Sequence, residues 1–198
     1  STQGVSSAAS DVYKRQALRH AAFNVVSIAT TTGLATQDYN LWPAFAPVLM
    51  LFLSCFATAA GSTGGGIKMV RAQLLIKHCT GELHRLVHPK SPMIVKLHGA
   101  VYEPAVMDSI LAFMFLYGAS IIVCTLLMLL SGCDLVTALS AVVASINNMG
   151  PGLNLVGPAT TFAVLTDFQT WICTLSMLLG RLELFTMVVI FTRTFWRT

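Results

Sequence analysis

Charge is what this sequence has least of. Only 10% of its 198 residues are Asp, Glu, Lys or Arg, whereas soluble domains run near 25%. Arg and Lys are absent from residues 20–67 and again from 97–180. A water-facing surface cannot be built from so few charges, so the chain reads as an integral membrane protein. The formal net charge of +4 is too small to suggest nucleic acid as a partner. Any CxxC pair is missing too: Cys55, Cys79, Cys124, Cys133 and Cys173 lie far apart, mostly in apolar runs, and read as packing residues rather than disulfides or metal ligands. No Ser/His/Asp or paired-carboxylate arrangement occurs, which leaves no basis for an enzyme. His78, His84, His88 and His98 with Cys79 are irregularly spaced among Lys and Arg and read as interfacial residues, and no cofactor bound by the chain is expected.

The few basic residues are concentrated. Lys68, Arg71, Lys77, Arg85, Lys90 and Lys96 crowd one central segment, which the positive-inside rule puts in the cytoplasm. Apolar runs at 41–60, 107–130 and 170–191 are each long enough to span, and Arg193 and Arg197 put the C-terminus in the cytoplasm. Residues 69–88 carry apolar positions at helical spacing among charges, which predicts a helix entering the cytoplasm or lying at the interface. Pro89, Pro92, Pro104 and Gly99 mark an irregular connector. Residues 1–16 fit nothing downstream, and their end resembles a translated sequencing adapter; they are expected to be a non-native scar. The expected divisions are therefore 1–16, 17–88, 89–106 and 107–198.

Two apolar stretches are too short to cross. Residues 134–146 would make a helix of about 20 Å, against a hydrocarbon core of ~30 Å, and they run into Asn147-Asn148-Met149-Gly150-Pro151-Gly152. Non-helical backbone at membrane depth survives only where protein buries it or it lines a watery cavity. Residues 17–30 end likewise, in Thr31-Thr32-Gly33, and a shift of 117 places Gly33 on Gly150, Val25-Val26 on Val142-Val143 and Ala21 on Ala138. The same unit therefore occurs twice. Helix, polar loop and helix is the building block of cation pores, where backbone carbonyls replace an ion's hydration shell. Two ordinary loop glycines in a broken-helix secondary transporter are the alternative.

Between them lies Gly61-Ser62-Thr63-Gly64-Gly65-Gly66-Ile67-Lys68, which no ordinary helix tolerates. It is not a phosphate-binding loop, because Ile67 separates Gly66 from Lys68 and Met69 follows the lysine. A flexible intramembrane loop beneath the first polar loop, acting as a gate, competes with a passive kink. Arg181 falls in the middle of the last span, where a charge normally faces a cavity or a partner and would oppose cation passage.

Taken together these residues resemble the Trk/Ktr superfamily of potassium-translocating subunits, most closely its bacterial TrkH/TrkG branch. The resemblance is carried by Ala29-Thr30-Thr31-Thr32-Gly33, Leu41-Trp42-Pro43, the run from Ala60 to Lys68, Arg85-Leu86-Val87-His88-Pro89, Asn147 to Gly152, Gly180-Arg181-Leu182-Glu183 and Phe195-Trp196-Arg197. It implies an all-α membrane fold of K⁺-channel-like repeats, with outer helix, re-entrant pore helix, filter loop and an inner helix broken in the membrane. It implies that Gly33 and Gly150 are the third and fourth filter glycines, with K⁺ passing along Thr31, Thr32, Gly33, Asn148, Met149 and Gly150. It implies a gating loop of Gly61, Ser62, Thr63, Gly64, Gly65, Gly66 and Lys68, with Arg181 beside it on the permeation path. A homodimer in the bacterial cytoplasmic (inner) membrane, controlled by a cytoplasmic TrkA-type nucleotide-binding subunit, is implied as well. On this resemblance the chain is the C-terminal part of a longer protein, holding most of the third repeat and all of the fourth, and alone it closes no four-fold filter.

Overall fold

The computed structural model describes residues 2–56, 65–88, 96–97, 100–102, 104–182 and 196, with backbone alone at 2–11, 96–97, 100–101 and 104. Helix α1 (Thr2–Ala29) crosses position 16 without a break. Gly4 is the only glycine and proline is absent from this stretch, so nothing in it stops a helix. The expected short helix is thus the second half of a 28-residue one.

After the first polar loop a single 3-10 turn, Tyr39–Leu41, is capped by Asp38, whose Oδ1 accepts the Asn40 N–H at 3.0 Å. Helix α2 (Phe45–Phe56) then starts later than residue 41, where its span was expected. Pro43 lies between the two elements, and its carbonyl accepts the Ala46 N–H at 2.9 Å to open the new helix. Residues 57–60 of that expected span and Gly61, Ser62, Thr63 and Gly64 lie outside the described residues.

Helix α3 (Met69–Val87) turns its apolar stripe toward α4 (Pro104–Leu130). Leu74 packs with Met107 and Ile110, and the Arg71 guanidinium sits 4.2 Å from the Phe113 ring centroid. Within the connector, β1 (Lys96–Leu97) and β2 (Ala100–Val101) form a short antiparallel pair. At 27 residues α4 is about 40 Å long. Among the described residues it is the one helix long and apolar enough to cross a membrane. Phe115 and Ile122 on its outer face are 75% and 61% exposed, as suits contact with lipid or further membrane segments.

Helix α5 (Leu135–Ile146) has 12 residues, about 18 Å, and stops short of crossing. Asp134 caps it, its Oδ2 accepting the Val136 and Thr137 N–H groups at 3.2 and 3.4 Å. Eight of its residues are buried, an unusual share that makes it the axis of the fold rather than a surface element. Ala138, Ala141, Val142 and Ile146 pack with Met128 of α4 and Ile172 of α6 (Asp167–Arg181). A capping box between Thr166 and Gln169 starts α6. The Gln169 amide then donates to Ser131 Oγ at 2.8 Å, holding the start of α6 to the end of α4. Helix α6 ends at Arg181 with Leu182 as its cap; Glu183 and the rest of the expected span up to residue 191 lie outside the described residues.

Candidate functional site

The loop after α5 is set by its first three backbone bonds. Asn147, Asn148 and Met149 donate to Val143, Ser145 and Ala144 carbonyls at 3.0, 3.0 and 2.9 Å. Asn148 and Gly150 take positive φ, +52° and +103°. Asn tolerates the left-handed region better than most residues, and Gly freely, which explains their use here. The loop then doubles back along α5. Gly152 donates to Val156 O at 2.8 Å, and Leu153 donates to Ser140 Oγ on α5 at 3.0 Å.

The loop after α1 has the same backbone. Thr30, Thr31 and Thr32 donate to Val26, Ile28 and Ser27 carbonyls at 2.9, 3.1 and 2.8 Å. Each of these donors and acceptors lies 117 positions before its counterpart in the other loop. Thr31 and Gly33 have φ +55° and +80°, at the positions of Asn148 and Gly150. The return strand is again tied to its helix, since Thr36 donates its N–H to Asn24 Oδ1 at 3.0 Å. Thr36 corresponds to Leu153 under the same shift. A weak sequence repeat is therefore a close repeat of backbone conformation.

The two loops lie side by side. A Cβ added to Gly33 would collide with the Met149 carbonyl oxygen, and one added to Gly150 would stand 3.5 Å from the Gly33 Cα. Beside them opens a cleft of 370 Å³ lined by Gly33, Leu34, Gly150, Pro151 and Met177. Thr31 is half-buried, Thr32 exposed and Met149 buried. Among the described residues the lining holds no carboxylate; it offers backbone carbonyls and the Thr160 hydroxyl, neutral oxygens of the kind that suit a desolvated alkali cation. Above the pair, the buried Tyr39 hydroxyl donates to Gly152 O at 3.4 Å, and Asn40 Oδ1 accepts the Asn154 N–H at 3.2 Å. Burial, and secondarily Asp38, push the Tyr39 phenol well above its ordinary pKa, so it remains a neutral donor.

The described end of the glycine run, expected beneath the first loop, packs against the start of the second, while residues 61–64 lie outside the described residues. A Cβ on Gly65 would fall 2.7 Å from the Ile146 and Asn147 carbonyl oxygens, and one on Gly66 2.7 Å from Asn147 Oδ1. Gly66 also has φ +80°. Lys68 is half-buried at the start of α3. From the other side Gly180 abuts the Ile146 carbonyl so closely that any side chain would collide with it. Arg181 follows as the exposed last residue of α6, and residues 183–191, which would complete the expected span around it, lie outside the described residues.

Sequence reasoning misses the side chain at the centre of this packing. Asn147 is fully buried; its Oδ1 accepts from Tyr117 Oη at 2.7 Å, and its Nδ2 donates to Ser54 Oγ at 3.0 Å and Cys55 Sγ at 3.3 Å. The one available signal is that the shift of 117 pairs Asn147 with Thr30, so that the repeat breaks in residue type just before each polar turn.

The family profile described as "TrkH: Cation transport protein" matches residues 4–197. The Trk system potassium uptake protein TrkH of Vibrio parahaemolyticus is 43% identical over 182 residues, 92% of this chain and 37% of that protein. TrkH of Escherichia coli K12 is 42% identical over 180 residues, 91% of this chain and 37% of the relative. TrkG of the same organism is 37% identical over 179 residues, 90% of this chain and 36% of the relative. The crystal structure of the potassium transporter TrkH from Vibrio parahaemolyticus superposes with a TM-score of 0.82 at 43% identity, covering 88% of this chain and 37% of that one. The chain thus spans little more than a third of the proteins it matches. An all-α membrane fold, two matching loops side by side and a family match over nearly every residue lead to one conclusion: the chain belongs to the TrkH family of cation transport proteins.

Proposed function

We propose that this chain supplies two filter strands of a Trk-type subunit that takes up potassium across the bacterial cytoplasmic membrane. The observation that carries the reading is the matched pair of loops, left-handed at 31 and 33 and again at 148 and 150, with Gly33 and Gly150 in contact. The names of the relatives, Trk system potassium uptake proteins, supply the ion. In this reading oxygens of Thr31, Thr32, Gly33, Asn148, Met149 and Gly150 replace the water around K⁺. Two strands enclose one side of an ion, and strands outside this chain complete the ring. K⁺ is cargo here, and the chain holds no cofactor of its own.

Residues Gly61 to Lys68 act as the gate, and Arg181 as an electrostatic barrier beside it. The packing of Gly65, Gly66 and Gly180 against residues 146–147, next to the second polar loop, supports that reading. The whole protein is a homodimer among membrane lipids. Its central basic segment and C-terminus face the cytoplasm, where a TrkA-type nucleotide-binding subunit regulates it; the concentration of Lys and Arg at 68–96 supports the orientation.

Rubidium uptake and potassium-limited growth of cells carrying the full-length protein test the proposal. Gly150→Asp should abolish both at normal expression. Uptake at low turnover that demands stoichiometric H⁺ or Na⁺ would favour a broken-helix secondary transporter instead.

A further inference from the structure

Building on the filter reading above, we infer that Asn147 is a positioning residue through which the glycine-rich segment and the second filter strand hold each other in place.

Four parts of the chain meet at this side chain. Tyr117 Oη, from α4, donates to its Oδ1; its Nδ2 donates to Ser54 and Cys55, in the last turn of α2. Beyond the glycine run the chain returns to the same place, where Ile67 donates its N–H to the Cys55 carbonyl at 2.8 Å. Gly66 itself lies against Asn147 Oδ1 with no room for a side chain. Asn147 is also the cap of α5, and the next residue begins the filter turn at φ +52°. Cys55 before the glycine run is hydrogen-bonded to the residue that sets the filter turn, and Gly66 at the run's end is packed against it.

A movement of the run that pulls on Cys55 through the Ile67 N–H would draw Ser54 and Cys55 away from a fully buried amide, and an unsatisfied buried amide is strongly disfavoured. The low-energy response is for Asn147, and with it Asn148 to Gly150, to follow. Among the described residues the first loop has no such device. At the equivalent position Thr30 is exposed, and its hydroxyl bonds only within its own turn, to Val26 O at 2.7 Å, Ser27 O at 3.4 Å and Thr32 Oγ1 at 3.0 Å. The coupling is confined to the second of the two strands.

A double-mutant cycle in the full-length transporter tests this, reading Rb⁺ and Na⁺ uptake at matched membrane expression. Asn147→Asp keeps the size and the acceptor for Tyr117 while removing the amide donor to Ser54 and Cys55. The Rb⁺/Na⁺ ratio should fall about fivefold or more. Deleting residues 64–66 should raise uptake in the parent but have little further effect in Asn147→Asp. Wild-type selectivity, or two changes that simply multiply, would overturn the inference. Should Asn147→Asp fail to reach the membrane, Tyr117→Phe and Ser54→Ala each remove one hydrogen bond without adding charge. Each can replace it in the cycle: loss of selectivity with a non-multiplying deletion supports the coupling, and independence overturns it. A parent that moves no Rb⁺ overturns the filter reading and this inference together, whereas a working parent with independent variants overturns the inference alone.

Discussion

The two polar loops share a backbone and differ in what holds it. The first, at 30–33, is closed by hydrogen bonds within its own turn and follows a long helix. The second, at 147–150, follows a capped 12-residue helix buried on most of its surface, and it is tied by one amide to α2 and α4. The same local turn bonds close both loops, and the second adds a tertiary clamp. Local turns are robust to what happens around them. Clamped ones transmit it.

Substitutions at matched positions of the two loops test that contrast, and the largest effect falls on the glycines. Gly33→Ala drives a methyl into the Met149 carbonyl and should abolish Rb⁺ uptake, whereas Gly150→Ala meets no atom nearer than 3.5 Å. Gly150→Ala should therefore retain measurable uptake despite a backbone cost of about 1–3 kcal/mol. Equal loss in both would mean that the contact between the strands does not decide tolerance.

A smaller effect separates Asn147 from Thr30. Asn147→Leu leaves Tyr117 and Ser54 without their buried partner, about 1–3 kcal/mol for each group. Thermal unfolding in detergent should show a clear loss, while Thr30→Val, at an exposed site, should stay within ~1 kcal/mol of wild type. Comparable losses would erase the distinction between clamped and local loops. Smallest is the helix cap: Asp134→Ala should cost about 1 kcal/mol by the same measurement. No change would mean that packing alone fixes the start of α5.

How much of this is legible in the sequence depends on how far apart the interacting residues are. Helix α5 can be read from its length and from Asp134, and α4 from its apolar run, because both signals are local. The pairing of Gly33 with Gly150 follows from a short internal repeat. The late start of α2 escapes notice because residues 41–44 continue the apolar run and hide the cap at Asp38 and the break at Pro43. The length of α1 escapes because composition sets residues 1–16 apart. The Asn147 clamp leaves almost no trace, since its partners lie 30 and 93 residues away and are ordinary Tyr and Ser in apolar helices. Hydrogen bonds between distant positions have no periodicity to betray them.

The central claim is that these two loops are adjacent strands of one potassium filter. Anomalous diffraction from crystals of the full-length transporter grown in rubidium addresses it most directly. The account predicts Rb⁺ density between the loops, against the backbone oxygens of Thr32, Gly33, Met149 and Gly150. Density lodged instead among residues 61–68, with the space between Gly33 and Gly150 empty, would contradict it.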